Sequence, residues 1–522
     1  MTSGTTPPPA VNDNQLRRNA LGLPSAMAMS LAFISPTIGV IFISSLIAGK
    51  AGLSSPFIFI VGTLGIALMA STLAQFTRRI TSAGTFYKFI CQSFGTSTAF
   101  VAGMVLLLAY TLQSPLNTNL FGGFVSQTLS ADFGIHISWW ILMVIIVVAV
   151  GALAWYSVHT SMSFDLAFVI AEVSVAGILL FLIIVKGGAH GQVPTSFLPT
   201  HSVSGFGGLG TAFVFIVLAF FGFESSTTVA EETRNPRRNL PIALIGSVVL
   251  TGLWFTFAMY SIIVGYGQAH VSQVASATAP LHDLAVRYIG GWYGNLVDLA
   301  AISAIIAVLL AIHTANFRVI YALGRDGVLH RALGRTHPRH KTPHVAIIVY
   351  SIFTLVIGLA AGAGWGPLPA FGYLGFLSSL AILPVYIGAN LALPFFIYRR
   401  YRSEFSVLVH VIFPAVSSVI FLLAIWLNVH PYPATAPNNI FPPLLAAFIV
   451  AAIITAVVLR RRQSPVLAKL GSVLFMEAQA MPEAQDVAGT PTGPEHALGA
   501  AGTEAAPDTA LGTAGTPAPA GD

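Results

Sequence analysis

Charged residues are scarce in this chain, and their scarcity excludes most classes of soluble protein. Only 8% of the 522 residues are Asp, Glu, Lys or Arg, whereas 55% are hydrophobic. The mean hydropathy of +0.80 is also far above that of an ordinary globular domain. This composition predicts an integral membrane protein with many spans.

Cysteine is almost absent, because Cys91 is the only one in the chain. A single thiol excludes an internal disulfide framework and a CxxC metal motif. The sequence also lacks a His-Glu metal pair and a nucleophile beside a base, so we expect no catalytic residue, no metal, no cofactor and no enzyme activity. The formal net charge of +6 is attributed to membrane topology, and nucleic acid is not an expected partner.

Twelve hydrophobic runs are long enough to cross a lipid bilayer as helices, which takes about 20 residues each. The chain is therefore predicted to be an all-α integral membrane protein with twelve transmembrane helices. The predicted spans are residues 24–48, 56–77, 92–118, 139–157, 165–185, 207–232, 240–267, 293–323, 344–362, 370–397, 407–428 and 440–459.

Lys and Arg cluster at alternate ends of these spans, and this bias predicts the orientation. With both termini cytoplasmic, only Lys50, Lys186 and Arg287 of the 24 basic residues face outward. We therefore expect a multi-pass protein of the cell (cytoplasmic) membrane. The tails, residues 1–19 and 463–522, are expected to be mostly disordered and cytoplasmic because they are rich in small residues and proline. The remaining residues, 20–462, form one predicted membrane domain.

The first span is interrupted at residues 35–39. Pro36 has no N–H group, and Gly39 lets a ligand approach the main chain. Free N–H groups and the dipole of a half-helix starting near Gly39 would suit a carboxylate, with Ser35 and Thr37 adding hydroxyls beside Ile38. The alternative is an ordinary proline kink with no ligand.

The sixth span is interrupted in a matching place, at residues 220–226. Phe220 and Phe221 could cover a ligand and the carbonyls around Gly222 could hold an ammonium group, although each phenylalanine taken singly fits a packing role equally well. Helix breaks inside lipid persist where they line a protected cavity. Two breaks at equivalent positions of two halves therefore predict a transporter with its substrate between them.

Three ionisable residues inside predicted spans are candidates for proton coupling, because a charge in the membrane is costly. Glu224 follows the second break, and the alternative is a permanently protonated or helix-pinning carboxyl that bonds to Ser225, Ser226 or a loop. Glu172 lies roughly 10 Å in from the cytoplasmic end of its span. His313 is the third candidate, with a buried neutral histidine as the alternative. Asp298, near an outer helix end, is expected to be solvated.

Charged loops follow the sixth and eighth spans and are predicted to interlock as a cytoplasmic gate. Simple anchoring of the topology by these charges is the alternative. The candidate gate residues are Glu231, Glu232, Arg237, Arg318 and Arg325.

Two segments resemble a known family. The sequence FGFE at residues 221–224, with AEETRNPRRNLP at residues 230–241, is similar to the span 6–7 signature of the amino acid–polyamine–organocation (APC) superfamily of permeases. The sequence RVIYALGRDGVL at residues 318–329 looks like the span 8–9 loop of the same family. The resemblance covers roughly residues 20–460 and indicates a bacterial amino acid permease type.

The resemblance implies a LeuT-like five-plus-five inverted repeat in which helices 1 and 6 are broken. Its repeats would be residues 24–185 and 207–397, with two extra C-terminal helices within 407–459. It also implies a central site between spans 1, 3, 6, 8 and 10. In that site Thr37 to Val40 would hold the substrate carboxylate, and Leu218 to Phe221 the amino group.

These features together predict a secondary active transporter that moves a small amino acid across the membrane by alternating access. Neutral or aromatic amino acids are favoured because two helix breaks satisfy a zwitterion without fixed charges. Protons are favoured over sodium as the coupling ion, since no acidic cluster is present. The alternatives are an organic amine or polyamine, with Glu224 as counter-charge, a substrate exchanger, and a membrane nutrient sensor with little flux.

Overall fold

Long apolar helices dominate the structure, a computed structural model. It describes residues 21–80, 85–156, 162–230, 233–325, 329–337, 340, 342–430, 432–433 and 436–462. Within these ranges the regular structure is helical throughout, with a single isolated bridge between Leu21 and Thr233. The predicted tails lie outside the described residues.

Nine α-helices precede residue 200 in the described ranges. They are α1 (Leu23–Ile34), α2 (Pro36–Ile38), α3 (Ser44–Ala51), α4 (Ser55–Thr77), α5 (Thr85–Phe94), α6 (Thr96–Thr111), α7 (Gln113–Phe133), α8 (Trp139–Trp155) and α9 (Met162–Val185). The segment Gly39–Ile43, between α2 and α3, is a π-helix.

Nine more α-helices follow in the described ranges. They are α10 (Gly205–Ala219), α11 (Pro236–Tyr266), α12 (Val271–Ser276), α13 (Pro280–Tyr288), α14 (Gly291–Arg325), α15 (His344–Trp365), α16 (Pro367–Arg400), α17 (Phe413–Val429) and α18 (Phe441–Arg461). A 3₁₀-helix, Phe223–Val229, follows α10.

Ten helical stretches in the described residues are long and apolar enough to cross a membrane. The stretch Leu23–Thr77, of 55 residues, contains the first two predicted spans. The fourth predicted span corresponds to Trp139–Trp155, an apolar helix that is shorter than these ten. The all-α membrane class is thus confirmed, whereas the count of twelve spans and the inverted repeat stay predictions.

The buried core runs through the middle of the helical bundle. Helix α11 packs along α4, α7 packs against α16, and α1 packs against α11 and the 3₁₀-helix. Their buried faces form one continuous hydrophobic cluster. This packing fixes the two broken spans next to each other.

The break in the first span is one residue long. Helix α1 ends at Ile34, Ser35 adopts left-handed angles (φ 48°, ψ 82°), and α2 starts at Pro36. The expected start near Gly39 is therefore wrong by three residues. Proline suits the first helical position because its fixed φ fits a helix and its missing N–H costs no bond there.

The break in the sixth span depends on Gly222. Helix α10 ends at Ala219, and Gly222 has a φ of 87°, a left-handed angle that a side chain disfavours. A Cβ atom on Gly222 would lie 2.2 Å from Cδ1 of Phe33 in α1. Glycine is required here both for the backbone angle and for the close approach of the other broken span.

Replacing Gly222 by alanine is expected to destabilise the protein strongly. The left-handed angle alone costs a side chain about 1–2 kcal/mol, and the contact with Phe33 adds to that cost. Gly134→Ala is the matched control, because Gly134 has a φ of 64° and open space around it. Thermal unfolding in detergent should show a clearly larger loss for Gly222→Ala, and equal losses would contradict the contact with Phe33.

Candidate functional site

A small cavity of about 30 Å³ lies where the two breaks meet. It is bordered by α1, α7, α10, α14, α16 and the segment from residue 35 to 43, which correspond to spans 1, 3, 6, 8 and 10. The lining residues are Phe33, Ile34, Ser35, Ile38, Ile43, Gln113, Leu116, Asn117, Leu218, Phe221, Val308, Ile312 and Phe371.

The lining is almost entirely apolar. Its only polar members are Ser35, Gln113 and Asn117, and all thirteen lining residues that the structure describes are uncharged. Such a cavity can bury an apolar group, whereas a charged group would lose its hydration without an opposite charge in the wall.

Four of the nine predicted substrate-binding residues line this cavity: Ser35, Ile38, Leu218 and Phe221. The other five are buried but do not belong to the lining that the structure describes, namely Thr37, Gly39, Val40, Phe220 and Gly222. Their roles at a ligand stay predictions.

Gly39 and Phe220 both pack against Phe255 of α11. A Cβ atom on Gly39 would lie 2.3 Å from Cε1 of Phe255, and the Phe220 ring meets the Phe255 ring edge-on at 5.4 Å between centroids. In this structure Gly39 therefore lets α11 approach the broken span closely.

Sequence reasoning missed the polar pair on α7. Asn117 donates through Nδ2 to the carbonyl of Gln113 (2.9 Å), and Gln113 donates through Nε2 to Oγ of Ser378 (2.8 Å). Both side chains border the cavity, so their amide groups lie within reach of a ligand. The signal was present, because Gln113 and Asn117 lie four residues apart, on one helical face, inside an apolar run.

Glu224 is only 1% exposed and is not among the described residues that line the cavity. Its Oε1 accepts a hydrogen bond from the Tyr110 hydroxyl, and its Oε2 has no partner among the described residues. The Tyr110 ring is 4.8 Å from the ring of Phe221, which lines the cavity. Tyr110 was not singled out from the sequence, for which the alternative named Ser225, Ser226 or a loop as the partner of this carboxyl.

Glu172, on α9, lies beside the broken first span and is 6% exposed. Its Oε1 accepts a hydrogen bond of 2.5 Å from Ser303 of α14. The Thr37 hydroxyl of α2 lies close enough to interact with this carboxyl, although it makes no hydrogen bond of ordinary geometry. The carboxyl is therefore bonded to α14 and lies near α2, and both helices border the cavity.

His313 fits the alternative of a satisfied buried histidine. It is 2% exposed, its Nε2 lies 3.0 Å from Oγ of Ser351, and its ring lies 4.8 Å from the ring of Tyr350. It is not among the described residues that line the cavity. A coupling role for His313 stays a prediction.

The predicted cytoplasmic gate is only partly within the described residues. Arg237, Arg318 and Arg325 are exposed, and the Arg325 guanidinium lies 5.9 Å from the centre of the Tyr321 ring. Glu231 and Glu232 lie outside the described residues, so the gate stays a prediction. Among the described side chains, no group of three His, Cys, Asp or Glu could hold a metal ion.

Removing the Tyr110 hydroxyl is expected to destabilise the protein more than neutralising Glu224. Tyr110→Phe leaves the Glu224 carboxyl without its donor, at a cost of about 1–3 kcal/mol for an unpaired buried group. Glu224→Gln keeps an oxygen acceptor for Tyr110. Because the two residues share one bond, the effects in the double variant should not add. Additive losses of the thermal unfolding midpoint would contradict a direct bond.

Comparison with known proteins gives the chain its family. The family model described as amino acid permease matches residues 26–464. The chain is 27% identical over 338 residues to the branched-chain amino acid permease BcaP of Bacillus subtilis (strain 168), covering 61% of this chain and 70% of that protein.

Two further relatives carry other names. The methylthioribose transporter of Bacillus subtilis (strain 168) is 25% identical over 69% of this chain and 79% of its own length. The low-affinity putrescine importer PlaP of Escherichia coli (strain K12) is 23% identical over 65% of this chain and 74% of its own length. The chain therefore belongs to the amino acid permease family of the APC superfamily, and it is a membrane transporter rather than an enzyme.

Proposed function

We propose that this transporter carries neutral amino acids with apolar side chains across the cell membrane, with both termini in the cytoplasm. The observation that carries the proposal is the uncharged and largely apolar lining of the cavity between the two breaks. The name of the relative BcaP, a branched-chain amino acid permease, supports the same substrate class.

The two helix breaks supply the groups that a zwitterion needs. Helix α2 begins at Pro36, so the N–H groups of Thr37 and Ile38 have no partner within that helix, and its positive end suits the substrate carboxylate. Helix α10 ends at Ala219, and its carbonyl end suits the ammonium group. Backbone dipoles can thus hold both charges of the substrate.

The remaining wall suits an apolar side chain. Leu116, Val308, Ile312 and Phe371 form a surface without charge. Burying a leucine-sized side chain in such a surface is worth about 1.5–3 kcal/mol. A lysine or arginine side chain would instead lose its hydration there.

Transport of an organic amine or polyamine is the second candidate, and the relative PlaP, a putrescine importer, favours it. An amine would need a counter-charge such as Glu224. That carboxyl already accepts a hydrogen bond from the Tyr110 hydroxyl. The ring of Phe221, which borders the cavity, packs on the Tyr110 ring. Transport of an amine therefore has less support than transport of a neutral amino acid.

The Tyr110–Glu224 pair would close the cavity toward the cytoplasm. Phe221 borders the cavity, the Tyr110 ring packs on Phe221, and Glu224 holds the Tyr110 hydroxyl. In the proposed orientation, release of substrate to the cytoplasm requires these rings to separate. Alternating access would therefore include breaking this hydrogen bond.

Glu172 is the proposed carrier of a coupled proton. Its carboxyl contacts Ser303 of α14 and lies near Thr37 of α2, and both helices border the cavity. Gaining or losing a proton there changes the interactions that join α9 to these two helices. Protonation is thereby linked to the conformation around the substrate.

The substrate class is tested with purified protein by thermal shift and by uptake of labelled leucine into proteoliposomes. Valine, isoleucine and phenylalanine should stabilise the protein and compete with leucine, because a ligand of the folded state raises the unfolding midpoint. Leucine amide should fail, since it lacks the carboxylate for the α2 end. Stabilisation by putrescine and not by leucine would instead establish transport of an organic amine or polyamine.

Proton coupling is tested with Glu172→Gln. This variant should lose accumulation driven by a pH gradient and keep both binding and leucine exchange, because the amide can still accept from Ser303 but cannot carry a proton. Glu404→Gln is the control, since Glu404 is exposed, pairs with Arg79 and is not among the described residues that line the cavity. Accumulation at the wild-type level in Glu172→Gln would exclude Glu172 as the proton carrier.

A further inference from the structure

Helix α13 is a short helix between the seventh and eighth spans that packs on the first span. Its neighbours are α14, α9, α11 and the π-helical segment Gly39–Ile43. Ile43, at the end of that segment, lines the cavity. The position of α13 therefore bears on the half of the first span that follows the break.

A histidine–aspartate pair ties α13 to α14. Nδ1 of His282, in α13, lies 2.9 Å from Oδ2 of Asp298, in α14, which is an ion-pair distance without the angles of an ordinary hydrogen bond. The two side chains are 25% and 7% exposed. The other carboxylate oxygen, Oδ1 of Asp298, has no hydrogen-bond partner among the described residues. The expectation that Asp298 is solvated is therefore wrong, because α13 covers it.

The surroundings of His282 are mainly acidic. Asp298 faces it from α14, Asp132 from α7, and Asp283 from α13 itself. The Asp298 carboxylate raises the pKa of His282 above its usual value, partial burial opposes this, and the charges of Asp298, Asp132 and Asp283 raise it further. The protonated form of His282 is thus favoured.

The other charged or titratable groups near α13 are engaged elsewhere. Arg287, on α13 itself, donates to the carbonyl of Gly265 (3.5 Å). Tyr266 of α11 donates to Oδ2 of Asp283 (2.9 Å), and Lys186, after α9, donates to the carbonyl of Tyr288 (3.2 Å). Glu172 of α9 accepts from Ser303, five residues along α14 from Asp298. The segment Gly39–Ile43 contains no titratable side chain.

We propose that His282 and Asp298 are positioning residues for transport. Protonated His282, paired with Asp298, holds α13 against α14 and thereby holds the segment Gly39–Ile43 in its place at the cavity. This inference rests on the proposed transport function and orientation, in which α13 faces the outside. The affinity for external substrate then depends on external pH through this pair.

The sign of the dependence follows from the direction of the shift. His282 has a higher pKa in the folded protein than in the unfolded chain. The stabilisation from the pair is therefore complete below the ordinary histidine value and is lost as the external pH rises through the folded value. Acidic medium holds the pair together, and alkaline medium releases it.

Leucine exchange in proteoliposomes measures the effect of this pair without the effect of a proton gradient, because exchange needs no gradient. The outer pH is varied from about 6 to about 8, the range in which histidine titrates, at constant inner pH. The apparent KM of wild type should change by about two- to five-fold over this range, as expected for a partly exposed ion pair. At the lower pH, the apparent KM of His282→Gln and of Asp298→Asn should equal the apparent KM that wild type has at the higher pH.

His282→Lys and His190→Gln complete the design. The lysine keeps its charge at both pH values, so this variant should keep the wild-type low-pH KM throughout. His190, an exposed histidine whose ring stacks on that of His270, is the control and should leave the profile unchanged. A merely structural role would make glutamine and lysine shift the KM in the same direction, and that result would overturn the proposal.

Thermal unfolding distinguishes failure of this inference from failure of the proposed substrate. Without any substrate, wild type should lose more stability between the two pH values than His282→Gln or Asp298→Asn loses. Equal losses of stability in all three proteins would overturn the proposed role of the pair, whatever the protein transports. Since asparagine matches aspartate in size, Asp298→Asn provides the comparison if His282→Gln does not fold.

Discussion

The hydroxyl of Ser30 joins the two broken spans, and the architecture of the cavity depends on it. It donates to the carbonyl of Phe223 (2.6 Å) and accepts from the N–H of Ser226 (3.3 Å). A backbone group left unpaired inside a bilayer costs several kcal/mol, so a break needs substitutes for the lost helical bonds. Helix α1 supplies them to the segment that follows α10, and Ser225 adds a bond to the carbonyl of Met29 (2.9 Å).

This shared bonding explains why the two breaks lie side by side. Phe33 occupies the space that a side chain on Gly222 would need, and Ser30 lies one helical turn before it. The same stretch of α1 therefore both supports the second break and ends at the first. A cavity forms there because the chain cannot continue as a regular helix through either span.

The features that sequence revealed are those set by local chemistry. Pro36 and Gly222 mark the two breaks because each disfavours a continuous helix whatever its neighbours are. The membrane class follows from the apolar runs in the same way. The partner of Glu224 could not be read from sequence, because Tyr110 is 114 residues away along the chain. The same limit applies to the close approach of Phe255 to Gly39, which joins residues far apart along the chain.

Half of the ten apolar residues in the wall of the cavity have stiff side chains. Ile34, Ile38, Ile43, Val308 and Ile312 are all branched at Cβ, which restricts their rotation and leaves the wall little freedom to adapt. An apolar wall nevertheless separates ligands that differ by one methylene by only about 1–3 kcal/mol. Under the proposed function, several aliphatic amino acids would share one carrier, so the composition of the mixture outside the cell would decide which of them enters.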